Sequence, residues 1–148
     1  MPKDLHEKPF DEGTIIKLNL YESYLKEWLP VFLSKSTPQF NTINIFDFFA
    51  GPGLDKNNQK GSPLITIDLL TPYITKIINN KQTISLYFND KSKTKIKQLK
   101  QNIDATITNL SSLDIKYTSE DFSNLFVKYL PIMSKASTAN FLFLDQNL

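Results

Sequence analysis

The chain has 148 residues, an apolar share of 41% and a formal net charge of +2, which fits one globular domain able to bury its own core. It has no cysteine, and all 17 basic residues are lysine; disulfide frameworks, thiolate metal sites and thiol nucleophiles are excluded together. So small a charge does not indicate a nucleic-acid partner, and without arginine the guanidinium fork that reads guanine is missing, leaving lysine contacts alone.

Residues 1–10 read as a flexible polar tail, in which the single His6 has no company for a metal, so no metal site is expected. This tail has no apolar signal region and the chain has no membrane-length apolar run, so the expected location is the cytoplasm. Residues 11–40 form a helix and linker: Leu18, Tyr21, Leu25, Trp28 and Phe32 recur at steps of three and four, Pro30 interrupts the last turn, and Ser34 to Gln39 connects onward. Ile43 to Phe49, short, β-branched and aromatic, reads as a buried strand running into a glycine loop. After the polar stretch Leu54 to Lys60, Ser62 is placed to cap a helix with Pro63 at its first position. Pro72 ends or bends that helix before a second apolar piece around Ile74 and Ile77.

Ile84 to Phe88 is a second strand ending at Asn89-Asp90, and Ser92 to Leu110 is a helix with Ile96, Leu99, Ile103, Ile107 and Leu110 on one stripe. Its lysines at 93, 95, 97 and 100 form a solvated face. Asp114 to Thr118 is a weak third strand, Phe122 to Leu130 a helix stopped by Pro131, Met133 to Ala139 a loose connection, and Phe141 to Asp145 a fourth, apolar strand. Strands alternating with helices, and apolar without alternation, predict an α/β fold with a parallel sheet covered on both faces.

In such sheets ligands sit at the carboxyl ends of the strands, where the strand order reverses. The segment there is Asp47-Phe48-Phe49-Ala50-Gly51-Pro52-Gly53. Its glycines let a backbone approach a ligand and reach positive φ cheaply, and Asp47 is placed to orient the polar amino-acid part of a cofactor. A dinucleotide fingerprint needs a third small residue where Lys56 stands, and Lys60-Gly61-Ser62 has the wrong order for a P-loop. Asp90 falls where α/β cofactor folds place an acid for two ribose hydroxyls, although a turn or cap explains it as well. Asp121 with Phe122 offers an adenine-side acceptor and an apolar wall, or simply a helix cap. Asp145 closes the fourth strand on the substrate side.

The segments Phe10-Asp11-Glu12-Gly13-Thr14 with Lys17, then Phe46 to Gly53, then Gly61-Ser62-Pro63-Leu64, resemble the three-Cys-motif partner protein family, which is similar to class I S-adenosylmethionine-dependent methyltransferases. The resemblance implies a Rossmann-like fold with about four strands present, residues 41–148 being the cofactor-binding half of the domain. It implies S-adenosylmethionine as cofactor, with Asp47, Phe48, Phe49, Ala50, Gly51, Pro52 and Gly53 as its loop, Asp90 on the ribose and Asp121 with Phe122 beside the adenine. Thr14, Lys17 and Ser62 would border the pocket, and Asp145 would begin the substrate-facing motif and accept or orient a substrate proton.

Two departures qualify this picture. Asp145-Gln146-Asn147-Leu148 lacks the aromatic and glycine that ordinarily follow in the family, and the strands that lie beyond the fourth there have no counterpart. The expected consequence is a truncated product, a protein completed in trans, or a chain that binds a protein partner or itself through the open edge at 141–145. The expected function is therefore a methyltransferase-like cofactor binder of unknown acceptor. The alternatives are a non-catalytic cofactor- or partner-binding module, and a fragment of an amino-methylating nucleic-acid enzyme, whose Asp/Asn-Pro-Pro-aromatic tetrad Gln146-Asn147 does not supply.

Overall fold

A computed structural model of the chain describes residues 9–107 and 111–145. His6, Leu110 and the closing Gln146-Asn147-Leu148 lie outside the described residues, and the helix expected to reach Leu110 ends earlier, at Thr106, where Ile107 turns extended. The elements in chain order are α1 (Glu12–Leu33), β1 (Thr42–Asp47), α2 (Ser62–Leu70), α3 (Ile74–Asn79), β2 (Thr83–Asn89), α4 (Lys93–Thr106), β3 (Leu113–Thr118), α5 (Phe122–Met133) and β4 (Thr138–Phe143). The four strands form one parallel sheet in the order β3-β2-β1-β4. Flanked by helices, this is an α/β fold consistent with a Rossmann-like arrangement.

Sequence pattern explains the layering. β1 and β2 are buried along almost their whole length, as inner parallel strands covered on both faces must be. Side chains alternate between the faces: Ile43, Ile45, Ile84, Leu86 and Phe88 join a core with α1 to α4, while Phe46 and Tyr87 join Leu125 and Tyr129 of α5. Each fully buried Leu, Ile or Phe contributes about 2 kcal/mol of transfer free energy. No helix among the described residues is long and apolar enough to cross a membrane.

Four further expectations are corrected. The buried stripe of α1 is Leu18, Tyr21, Leu25, Leu29 and Leu33; Trp28 and Phe32 sit at its margin, their rings packed on Phe141 at 5.2 Å and Phe40 at 5.5 Å. Gly61, not Ser62, is the N-cap of α2, because the Ser62 hydroxyl turns to Asp47 instead. Pro131 does not stop α5, which runs on to Met133. β4 begins at Thr138 and ends at Phe143, so part of the supposedly loose connection is strand and Asp145 lies beyond the strand end. Asn140 secures that start: its side chain accepts from Asn44 Nδ2 at 3.0 Å and donates to the Met133 carbonyl at 2.9 Å. Pro72 acts as expected, bending the chain through a short 3₁₀ turn, Thr71–Tyr73, into α3.

Candidate ligand site at the end of the first strand

β1 pairs with β2 on one side and with β4 on the other, so the strand order reverses at β1. A crevice at the carboxyl ends of such strands is where open α/β sheets bind ligands. The glycine loop leaves β1 there. Gly51 has φ 70° and Gly53 φ 91°, left-handed conformations that glycine adopts without a Cβ penalty.

The loop is held residue by residue. Ala50 N–H donates to the Asn89 carbonyl at 2.8 Å, Gly51 N–H to Asp90 Oδ2 at 3.1 Å, and the Gly53 carbonyl accepts from Gly61 N–H at 2.7 Å. The Pro52 carbonyl accepts from Asn102 Nδ2 of α4 at 2.8 Å. Four successive residues thus borrow their shape from three elements, which makes the loop a rigid cradle rather than a flap. A Cβ on Gly53 would also stand 2.8 Å from Leu99 Cδ1, a side chain that is fully buried. Gly53→Ala is therefore expected to cost about 2–4 kcal/mol, from backbone strain plus displacement of Leu99, read as a lower urea midpoint at unchanged slope.

Asp47 ends β1 fully buried. Its Oδ2 accepts from the Ser62 hydroxyl in the first turn of α2. The Phe49 amide lends the anion some support, but no donor stands in hydrogen-bonding geometry on Oδ1 among the described residues. Burial pushes this carboxyl up to about 7, against the pull of Ser62 and Phe49 and with the push of the Asp90 and Asp145 charges. On the same side, the Tyr21 hydroxyl of α1 meets Thr66 Oγ1, which bonds back to the Ser62 carbonyl at 2.8 Å. Burial, and then the Asp47 charge, raise the Tyr21 phenol above its ordinary range.

The other expected residues divide. Asp90 faces the loop, its Oδ2 on Gly51 N–H and its Oδ1 on Ser92 N–H at 2.9 Å. Lys17 and Asp145 are brought together, Nζ lying 3.4 Å from the carboxylate. They close one end of an apolar groove of about 540 Å³ lined by Tyr21, Tyr24, Trp28 and Phe141. Phe49 and Phe122 meet at 5.5 Å between the loop and α5. Phe48 instead turns into the core, its ring against Phe122 at 5.1 Å and near Tyr129 at 6.1 Å. Asp121 is exposed and caps α5 by accepting from Ser123 N–H at 3.1 Å, while Thr14 lies in the first turn of α1, its N–H on Asp11 Oδ1 at 2.7 Å.

Two residues that sequence reading passed over organise the site. Asn89, buried beneath the loop, donates to the carbonyls of Phe48 at 3.1 Å and Glu120 at 3.0 Å and accepts from the Thr118 hydroxyl at 2.8 Å and Glu120 N–H at 3.0 Å. Both halves of its amide are thereby used in full, pinning the ends of β1, β2 and β3 together. Asp55 accepts N–H bonds from Phe10, Asn57 and Gln59, each at 2.8 Å. Burial works to raise its carboxyl, but the three N–H groups outweigh it and hold the group below its ordinary value. The segment at Phe10, expected in the tail, is thereby tied to the loop after Gly53. An Asp followed two residues later by Asn57 is a local turn signal that could have marked Asp55.

Set against known proteins, the sequence matches no protein-family model and no curated sequence.

Proposed function

We propose that the chain is an S-adenosylmethionine-binding, methyltransferase-like protein of the class I type, akin to the three-Cys-motif partner proteins it resembles. The observation that carries this reading is the meeting, at the reversal point of the sheet, of a rigid two-glycine cradle with a fully buried strand-end acid on whose Oδ1 no donor stands among the described residues. A buried carboxylate oxygen without a partner is costly to keep, and a ligand donor arriving over Gly51 and Gly53 would satisfy it.

The other residues suit the same group. Each oxygen of Asp90 accepts one backbone N–H and keeps a further lone pair for a ribose hydroxyl. Phe49 and Phe122 supply an apolar wall for a base, with Asp121 at the adenine side and Thr14, Lys17 and Ser62 at the border. Bound there, the cofactor supplies an electrophilic methyl group on a sulfonium. The protein's part is alignment, which accounts for most of the acceleration in such transfers. Asp145, paired with Lys17, would take a proton from an acceptor.

Calorimetric titration of the chain with S-adenosylmethionine tests this. Saturable binding is expected, weakened about 10- to 100-fold by Asp90→Ala through loss of charge-assisted hydrogen bonds. Absence of binding at millimolar ligand, with Asp47→Ala indistinguishable from the parent chain, would sink the reading.

A further inference from the structure

Among the acids at this end of the sheet, Asp47 alone is fully enclosed, and its surroundings are at odds with a negative charge. Its side-chain donor is the neutral hydroxyl of Ser62 from α2, and among the described residues no donor stands in hydrogen-bonding geometry on Oδ1. The end of β2 contributes the carboxylate of Asp90, and the segment after β4 contributes that of Asp145, both of which disfavour another anion. From α1 come the Tyr21 phenol, engaged with Thr66, and Lys17, whose ammonium is held by Asp145. The loop itself offers the Phe49 amide. The single cation in this set is thus spent on another acid.

We propose that a cationic ligand enters this site in exchange for a proton: Asp47 is protonated in the ligand-free chain and releases its proton to solvent as the ligand's positive charge takes its place. The exchange balances in charge, one proton leaving a carboxyl oxygen for water as one cation arrives, and no other bond is made or broken. This rests on reading the loop as an S-adenosylmethionine site, the ligand bringing an ammonium and a sulfonium. Burial, which pushes the Asp47 carboxyl up to about 7, places the exchange in the neutral range. Affinity should then rise up to about tenfold per pH unit below that midpoint and level off above it.

The test is calorimetry of the whole chain with S-adenosylmethionine from about pH 5.5 to about pH 7.5, in two buffers of different protonation enthalpy, so that proton release is read directly. About one proton should leave per ligand bound at the acid end, falling as pH rises, and Asp47→Asn should remove that release. Binding with a flat pH profile and no proton release overturns the exchange while leaving the site reading intact. No binding by the parent chain at any pH overturns both. Carbon-13 NMR of the aspartate carboxyls in the ligand-free chain gives an independent readout: an Asp47 titration midpoint near the ordinary value, about 4, overturns the exchange even where binding is seen.

Discussion

Asp47→Asn is expected to flatten the dependence of the chain's stability on pH. The Asp47 carboxyl stands at about 7 in the fold against a reference value of 3.8, so the folded state holds a proton that the unfolded state gives up. Its stabilising contribution is complete below about pH 4, falls as pH rises through the neutral range, and is gone above about pH 8. At about 1.4 kcal/mol per pH unit, the difference in unfolding free energy between the parent and Asp47→Asn should shift by up to about 4 kcal/mol toward the variant from pH 4 to pH 8. That corresponds to roughly 8–16 °C in relative Tm for a domain of this size. The buried amide that asparagine introduces has its own cost, but that cost does not vary with pH. Asp11 and Asp55, both held below their ordinary values, lose stabilisation in acid and are common to both chains. Paired melts across the pH range decide the matter, and a constant difference would show that Asp47 titrates as an ordinary carboxyl.

Removal of the Asn89 side chain is expected to have an effect of comparable size at a point well beneath the surface of the site. Asn89→Ala breaks all four of its side-chain hydrogen bonds and leaves the Phe48 and Glu120 carbonyls looking for donors. The cost should be roughly 3–5 kcal/mol, read from urea unfolding. Asn89→Asp matches the shape but turns two donors into acceptors facing carbonyl oxygens, beside the carboxylate of Asp90. It should unfold about as readily as the alanine variant at neutral pH and regain part of the loss near pH 4, where a proton restores one donor. In both variants the order of the glycine loop should fall, because the Ala50 N–H donates to the backbone carbonyl of the same residue. An Asn89→Ala chain as stable as its parent would show that the three strand ends do not depend on one amide.

The fold was legible where a pattern is local. β1 and β2 announced themselves as short segments rich in Ile, Leu and aromatic residues, and α1 and α4 as stripes at helical spacing with Asp11 and Ser92 at their starts. Proline misled once. Pro30 read as an interruption within the last turn of α1 and Pro131 as a stop to α5, yet both helices run on because each proline removes one hydrogen bond, to the carbonyl four residues earlier, in the last turns. Those residues, Lys26 and Val127, are exposed, so water can serve the freed carbonyls. The glycine loop and the acids Asp47 and Asp90 were visible as residue types at strand ends. Asn89 was not, because its partners Phe48, Thr118 and Glu120 lie 29 to 41 residues away in sequence, and an amide at a strand end looks like any turn residue. Phe48 showed the converse. Its place in the loop motif pointed to a ligand, whereas the step of two along a strand directs it with Phe46 into the core under α5.

The pairing of β1 with β4 sets a clock on synthesis. Asn44 and Asn140, side-chain partners across that pair, are 96 residues apart, so β1 can complete one of its two edges with β2 early but must wait for the other. At roughly 5–20 residues per second on the ribosome, the wait is about 5–20 s. During it, an apolar strand with a buried acid at its end has one edge open beside a nascent chain. Slower translation between β2 and β4 would lengthen that interval of exposure to mispairing.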